Sequence, residues 1–198
     1  MPKLKLYLIY IPGLGDQKVQ GQQRAVRTWQ WWGVSSELFV INWTDQETWQ
    51  SKLNRLTVRV DSLKVEGWQV ALVGASAGAT AAINAFAMRQ KSITGVVCIA
   101  GKVNRPDTVH PARFRTNPAF EKAIKDCPAA LKKLDSSARQ RILSRYGLFD
   151  EVVAIVDSRI PGARNRITPT FEHGFTIAEQ ITIGAPGFIR FLKRLPPV

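Results

Sequence analysis

Residues 69–88 read QVALVGASAGATAAINAFAM, and this stretch decides the fold. Its apolar start, Gln69–Val73, predicts a buried strand, and its alanine-rich end, Ala79–Met88, predicts a helix. Between them lies the turn GASAG, residues 74–78. In such a strand–turn–helix a central serine projects its hydroxyl from the carboxyl edge of a sheet, and the flanking glycines avoid collision with neighbouring chain. Ser76 is therefore the candidate nucleophile, and a tight glycine turn for packing or phosphate binding is the alternative.

The rest of the chain alternates the same two patterns of apolar residues. Further strands are predicted at 4–11, 37–43, 94–100, 141–146 and 166–171, and further helices at 18–32, 46–65 and 175–195, the last interrupted near 184–187. Alternation over the whole chain is typical of a mainly parallel sheet with helices on both faces. The sequence thus predicts an α/β fold, a three-layer α/β/α sandwich, as one domain over residues 1–198.

Residues 102–140 form the least regular segment. It is interrupted by Pro106, Pro111, Pro118 and Pro128. Pro128 predicts a break between two short helices, 118–125 and 128–134. Because the segment is short and bridges two strands, it predicts at most a small lid near the site and no large cap domain.

The composition fits a folded protein with a strong positive charge. Hydrophobic residues make up 45% and charged residues 22% of 198, which excludes a disordered or fibrous chain. Lys and Arg number 28 against 15 Asp and Glu, a net charge of +13. Such a field attracts nucleic acid, anionic membranes or acidic small molecules. Nucleic acid is disfavoured as a partner, because the sequence has no recognition motif and no interleaving of aromatic with basic residues.

Neither a cofactor nor a membrane span is expected. Cys98 and Cys127 lack metal-ligand spacing and cannot form a disulfide framework, and the glycine-rich turn lacks the lysine of a phosphate-binding loop. No stretch approaches the roughly 20 apolar residues that cross a bilayer. The apolar run after Lys5 is too short for a signal peptide and ends at Pro12-Gly13. A soluble cytoplasmic protein is expected.

With its nucleophile turn in this setting, the chain resembles the α/β-hydrolase family over nearly its entire length, as a small, minimal-core member. The family orders its catalytic triad as serine, acid, histidine. FEHGF, residues 171–175, follows the last predicted strand, where the family places its base. The resemblance thus implies His173 as the base. The other histidine, His110, lies in the irregular segment and fits an ordinary surface residue.

The acid is implied by a second match to the family. YGLFDEVV, residues 146–153, resembles the family's Gly-x-x-Asp-x-Val-Val turn and places the acid at Asp150. Asp157 and Glu151 are alternatives, and Asp157 would be the acid if the apolar stretch 152–156 were the strand. In the implied triad His173 takes the proton of Ser76, and the acid fixes the imidazole tautomer and stabilises its cation.

The oxyanion hole needs two backbone N–H groups. One comes from Ala77, directly after the nucleophile. The family supplies the other from the loop after the first strand, and PGLGD, residues 12–16, resembles its His-Gly-x loop with Pro12 in place of the histidine. The resemblance implies the N–H of Leu14 as the second donor, with Gly13 as the alternative.

The implied function is that of a serine hydrolase, carboxylesterase-like, which cleaves an ester or related acyl bond of a small molecule through an acyl-enzyme. A hydrolase-fold binding protein with a silent triad and a basic nucleic-acid-associated protein are the other classes. Arg105, Arg113 and Arg115 would form a basic rim that suits an anionic substrate, or they are simply solvated. Trp43, at the end of a predicted strand, would lie at the catalytic edge and line the pocket.

Overall fold

The computed structural model describes residues 5–198. Six strands form one sheet: β1 (Leu6–Ile11), β2 (Ser35–Leu38), β3 (Gln69–Ala75), β4 (Ile93–Ile99), β5 (Ile142–Gly147) and β6 (Arg164–Thr168). Their spatial order is β2-β1-β3-β4-β5-β6, and every neighbouring pair is parallel. The carboxyl ends of all six strands therefore meet at one edge. Leu4, part of the predicted first strand, lies outside the described residues.

Helices cover both faces of the sheet. They are α1 (Gln20–Arg27), α2 (Trp49–Val65), α3 (Ala77–Met88), α4 (Pro111–Thr116), α5 (Pro118–Lys132), α6 (Ser136–Gln140), α7 (Ile155–Ser158), α8 (His173–Ile181) and α9 (Ala185–Lys193), with 3₁₀ turns at Thr28–Trp32 and Pro106–Thr108. In the described part of the chain, no helix has both the length and the apolar character to cross a membrane.

The central strand β3 is buried on both faces, which explains its continuous run of apolar residues. Val70 and Leu72 pack into the core beneath α2, α3 and α5. Ala71 and Val73 point to the opposite core, which Trp29 and the helices α8 and α9 share. Successive side chains on a strand alternate between faces, so one strand serves both cores. The predicted three-layer α/β/α architecture with a mainly parallel sheet is confirmed.

The two edge strands overlap the predicted ones but begin two residues earlier and end sooner. The apolar pattern placed them at 37–43 and 166–171, whereas β2 spans Ser35–Leu38 and β6 spans Arg164–Thr168. Edge strands are often polar or charged because one side of their backbone faces solvent. The hydrophobic pattern consequently identifies the last residues of each edge strand and the residues that follow it, rather than the whole strand.

The predicted helix break at Pro128 is wrong, because α5 runs through it. A proline inside a helix removes one hydrogen bond and clashes with the preceding turn, a penalty of about 3 kcal/mol. The buried face of α5 continues on both sides of Pro128, with Ile124 and Cys127 before it and Leu131 after it. Burial of side chains of this kind stabilises by about 1.5–3 kcal/mol each, which outweighs the penalty.

Candidate active site

Ser76 occupies the turn between β3 and α3 in a strained backbone conformation. Its φ of 51° and ψ of −119° belong to a region that residues with a Cβ rarely adopt. The turn is held by the N–H of Ser76, which donates to the carbonyl of Ile99 (2.9 Å), and by its carbonyl, which accepts from the N–H of Ala79 (3.1 Å). Strain of this kind amounts to about 1–3 kcal/mol and concentrates at functional sites.

Glycines on either side allow this turn to pack against its neighbours. A Cβ on Gly74 would lie 2.4 Å from the carbonyl oxygen of Gly78, and a Cβ on Gly78 would lie 2.0 Å from that of Ile11. A Cβ on Gly13 would lie 2.8 Å from the Cβ of Ser76. The loop after β1 and the nucleophile turn are therefore in direct contact, as an oxyanion hole drawn from both requires.

Replacing Ser76 with glycine is expected to stabilise the fold by about 1 kcal/mol, since glycine adopts positive φ without the strain but loses more backbone entropy on folding. Ser76→Ala is the matched control, because alanine keeps the Cβ and its strain. Urea denaturation of both variants measures the difference. Equal free energies of unfolding for the two variants would show that the strain is no larger than the entropic cost of glycine.

His173 is the first residue of α8, and its ring lies against Asp150 in the turn after β5. The distance from Nδ1 of His173 to Oδ2 of Asp150 is 2.8 Å. The other oxygen of Asp150 accepts from the backbone N–H groups of Val152 (2.9 Å) and Val153 (2.7 Å). A carboxylate at Nδ1 places the proton of a neutral imidazole on that nitrogen and leaves Nε2 as the proton acceptor.

The surroundings of Asp150 favour its ionised form. Burial raises the pKa of this carboxyl. The hydrogen bonds from His173, Val153 and Val152 together lower the pKa by more than burial raises it, so the net pKa lies below the ordinary value. The Asp150 side chain is only 1% exposed. It is thus a shielded negative charge beside the imidazole.

The two alternative acids have other partners. Asp157 forms an ion pair with Lys102, with a distance of 2.7 Å from Nζ to Oδ2, and its Oδ1 lies 3.2 Å from Nε of Arg105. Glu151 accepts a hydrogen bond from the backbone N–H of His173 (3.1 Å) and not from its ring. Of the three candidates, the structure brings only Asp150 to the imidazole.

These residues meet in a cleft of about 650 Å³ at the carboxyl edge of the sheet. The lining includes Gly13, Leu14, Ser76, Ala77, Asp150 and His173. Another part of it, termed here the 102–113 wall, consists of Lys102, Arg105, Thr108, His110 and Arg113. Within the described hydrogen bonds, none joins Ser76 to His173. Catalytic bonds of this type are often long in ligand-free enzymes and tighten with substrate.

Several sequence predictions around the cleft need correction. Trp43 does not line it: its side chain is fully buried and stacks on Trp49, with ring centroids 5.9 Å apart. Arg115 is also absent from the lining, whereas Arg105 and Arg113 belong to it. Sequence reasoning missed Lys102, although its position shortly after the end of β4, at the edge where sites form, was a usable signal.

His110, the second histidine, begins α4 as its N-cap. Its Nδ1 accepts from the backbone N–H of Ala112 (3.2 Å), and the side chain is exposed at the rim of the cleft. Over residues 5–198, no three His, Cys, Asp or Glu side chains are placed to hold a metal ion.

No family model matches the sequence, and no curated protein matches it by sequence. Solved structures do match the fold. Est1E from Butyrivibrio proteoclasticus has a TM-score of 0.71 at 14% identity, covering 96% of this chain and 89% of that one. The esterase domain of a Rhodothermus marinus protein has a TM-score of 0.68 at 13% identity, covering 96% and 87%. Carboxyl esterase 2 from the mycorrhizal fungus Tuber melanosporum has a TM-score of 0.68 at 14% identity, covering 98% and 78%. The parallel sheet, the strained turn after its central strand and these likenesses lead to one conclusion: the chain has the α/β-hydrolase fold.

Proposed function

We propose that the chain is a serine hydrolase that cleaves an ester or related acyl bond of a small molecule. One observation carries this proposal: a strained Ser76 opens into the same cleft as a histidine whose Nδ1 is held by a buried carboxylate. The esterases among the similar structures support it at the level of the fold. The cleft volume of about 650 Å³ also lies within the range of small-molecule sites.

In the proposed reaction, Oγ of Ser76 attacks the ester carbonyl carbon while Nε2 of His173 takes its proton. The carbonyl electron pair moves to oxygen and forms a tetrahedral oxyanion. Collapse of this intermediate breaks the bond to the alcohol, which leaves with the proton from His173. Water then attacks the acyl-enzyme by the same steps, which releases the acid and restores Ser76. Asp150 stays ionised throughout and stabilises the imidazolium.

In the proposed site, two backbone N–H groups stabilise the oxyanion. Ala77 is the first residue of α3, and the first N–H groups of a helix have no partner within it. Leu14 lines the cleft beside Gly13, whose backbone lies against Ser76. We assign these two N–H groups as donors. The positive end of the α3 dipole adds to their effect.

The experiment that tests this function is labelling with a fluorophosphonate, which phosphonylates an activated serine with loss of fluoride. The purified chain is expected to be labelled, and Ser76→Ala is expected to lose all label because the attacking oxygen is gone. Ser137→Ala, which removes an exposed hydroxyl on α6, is the matched control and keeps full labelling. Heat-denatured chain should not react.

Label retained by Ser76→Ala would contradict the assignment of the nucleophile. A folded wild type that takes no label would instead favour the alternative of a hydrolase-fold binding protein.

A further inference from the structure

We propose that the 102–113 wall forms an anion subsite, so that the preferred substrates are esters carrying a carboxylate or phosphate group. This inference rests on the proposed function and specifies its substrate class. The net charge of the cleft does not carry it, because the cations Lys102, Arg105 and Arg113 are matched in number by three carboxylates. The pairing of these charges does, because among the described residues it leaves Arg113 without a carboxylate partner.

Each cleft carboxylate has donors other than Arg113. Asp150 is held by the His173 ring and two backbone N–H groups. Asp157 is buried and pairs with Lys102 and Arg105. Glu151 accepts from the backbone N–H of His173 at the start of α8. Within the described residues no cleft carboxylate therefore pairs with Arg113, whose charge stays available to an incoming anion.

The arginines of the wall keep unused donors. Among residues 5–198, the guanidinium of Arg113 has no ion pair or hydrogen bond, and Arg105 approaches Asp157 only through Nε. Because Nδ1 of His110 accepts a hydrogen bond, its Nε2 carries the proton in the neutral ring and is a further donor. Guanidinium groups bind carboxylate and phosphate through paired N–H groups, so this set fits either anion.

The wall is held firmly enough to position these donors. The backbone N–H groups of Val103 and Asn104 donate to the carbonyl of Asp157 (3.1 and 3.2 Å), and Lys102 pairs with its carboxylate. Arg105 itself has a φ of 50°, a left-handed conformation that is unfavourable for a residue with a side chain. Its carbonyl accepts from both the N–H and the hydroxyl of Thr108. Such strain at the cleft is typical of a functional position.

Matched pairs of esters test the subsite directly. One pair is 4-nitrophenyl hydrogen glutarate and 4-nitrophenyl pentanoate, which place or omit the anion on the acyl side. The other pair is 4-acetoxybenzoate and its methyl ester, which do so on the alcohol side. The wild type is expected to show a kcat/KM about tenfold higher for the anionic member of at least one pair, and the preference should weaken at high salt.

Arg113→Gln is expected to bring that ratio down to about one, since it removes the charge and the paired N–H donors and leaves a shorter polar side chain. Arg115→Gln is the matched control: it lies on the same helix, α4, but not in the cleft, and should leave the ratio unchanged. A ratio near one in the wild type with both pairs hydrolysed would overturn the subsite and leave the hydrolase intact. Absence of both hydrolysis and fluorophosphonate labelling would instead overturn the proposed function.

Protection from fluorophosphonate labelling, which needs no substrate turnover, shows whether the subsite binds a carboxylate or a phosphate. Glutarate or inorganic phosphate at millimolar concentration is expected to slow fluorophosphonate labelling of the wild type and of Arg115→Gln, but not of Arg113→Gln. Protection by glutarate alone would assign a carboxylate, and protection by phosphate alone a phosphate. Failure of both anions to protect any of the three proteins would overturn the subsite.

Discussion

Gly78→Ala is expected to leave little or no folded protein. The added Cβ would lie 2.0 Å from the carbonyl oxygen of Ile11 and 2.7 Å from that of Pro12. Both atoms belong to the backbone at the end of a central strand, so neither can move aside as a flexible side chain would. We expect a loss of about 4 kcal/mol or more, a large part of the stability of an ordinary domain. Soluble yield and urea denaturation measure it.

Gly21→Ala is the matched control, because a Cβ there meets nothing within 4 Å and its φ is not positive. It lies in α1, where alanine is the better helix former, so a gain of about 0.5 kcal/mol is expected. Near-wild-type stability of Gly78→Ala would mean that α3 does not approach β1 as closely as described. The contact between the turn at Ser76 and the loop after β1 would then be in doubt.

Asp150→Asn is expected to lower kcat/KM by about 10⁴-fold while the protein stays folded. Asparagine can donate from its amide to Nδ1 of His173, which would move the ring proton to Nε2, the nitrogen that accepts from Ser76 in the proposed reaction. It also removes the negative charge that stabilises the imidazolium. Hydrolysis of a 4-nitrophenyl ester measures the effect. Asp126→Asn, on the exposed side of α5, is the control and should retain full activity.

The free energy of unfolding of Asp150→Asn should also depend on pH differently from that of the wild type. Because the pKa of Asp150 is lower in the folded chain than the value of about 4 in an unfolded one, its ionised form stabilises the fold above that pH. This contribution is lost as pH falls through the lower, folded value. The free energies of unfolding of wild type and Asp150→Asn should therefore converge at acidic pH. Undiminished turnover in Asp150→Asn would exclude it as the acid.

Elements that depend on local residue size and apolarity could be predicted from the sequence. The central strand and the helix after GASAG follow from a run of buried residues and from the small side chains that close packing demands. The order of strands and helices also followed, because each alternation in the chain is one crossover of a parallel sheet. The continuation of α5 past Pro128 could not be predicted, because it depends on packing against a distant helix.

The geometry of the site depended on partners far away in the chain. The sequence left Asp150, Asp157 and Glu151 all available, and only the folded chain separates them. Asp157 is paired with Lys102, which lies 55 positions earlier. No local sequence pattern predicts that pair. Trp43 was misjudged for the same reason: the ring of Phe120, which packs edge-on against it, belongs to α5.

The carboxyl edge of the parallel sheet gathers the site from segments that are distant in the chain. The loop after β1, the turn after β3, the turn after β5 and the start of α8 each contribute one part of it. Parallel strands need long crossovers, so contacts of this kind form late and slowly during folding. A chain in which only β1, β3 and β4 have paired holds Ser76 without a base. Under the proposed function, reactivity therefore appears only once the sheet is complete, which spares surrounding esters from attack by nascent or misfolded copies.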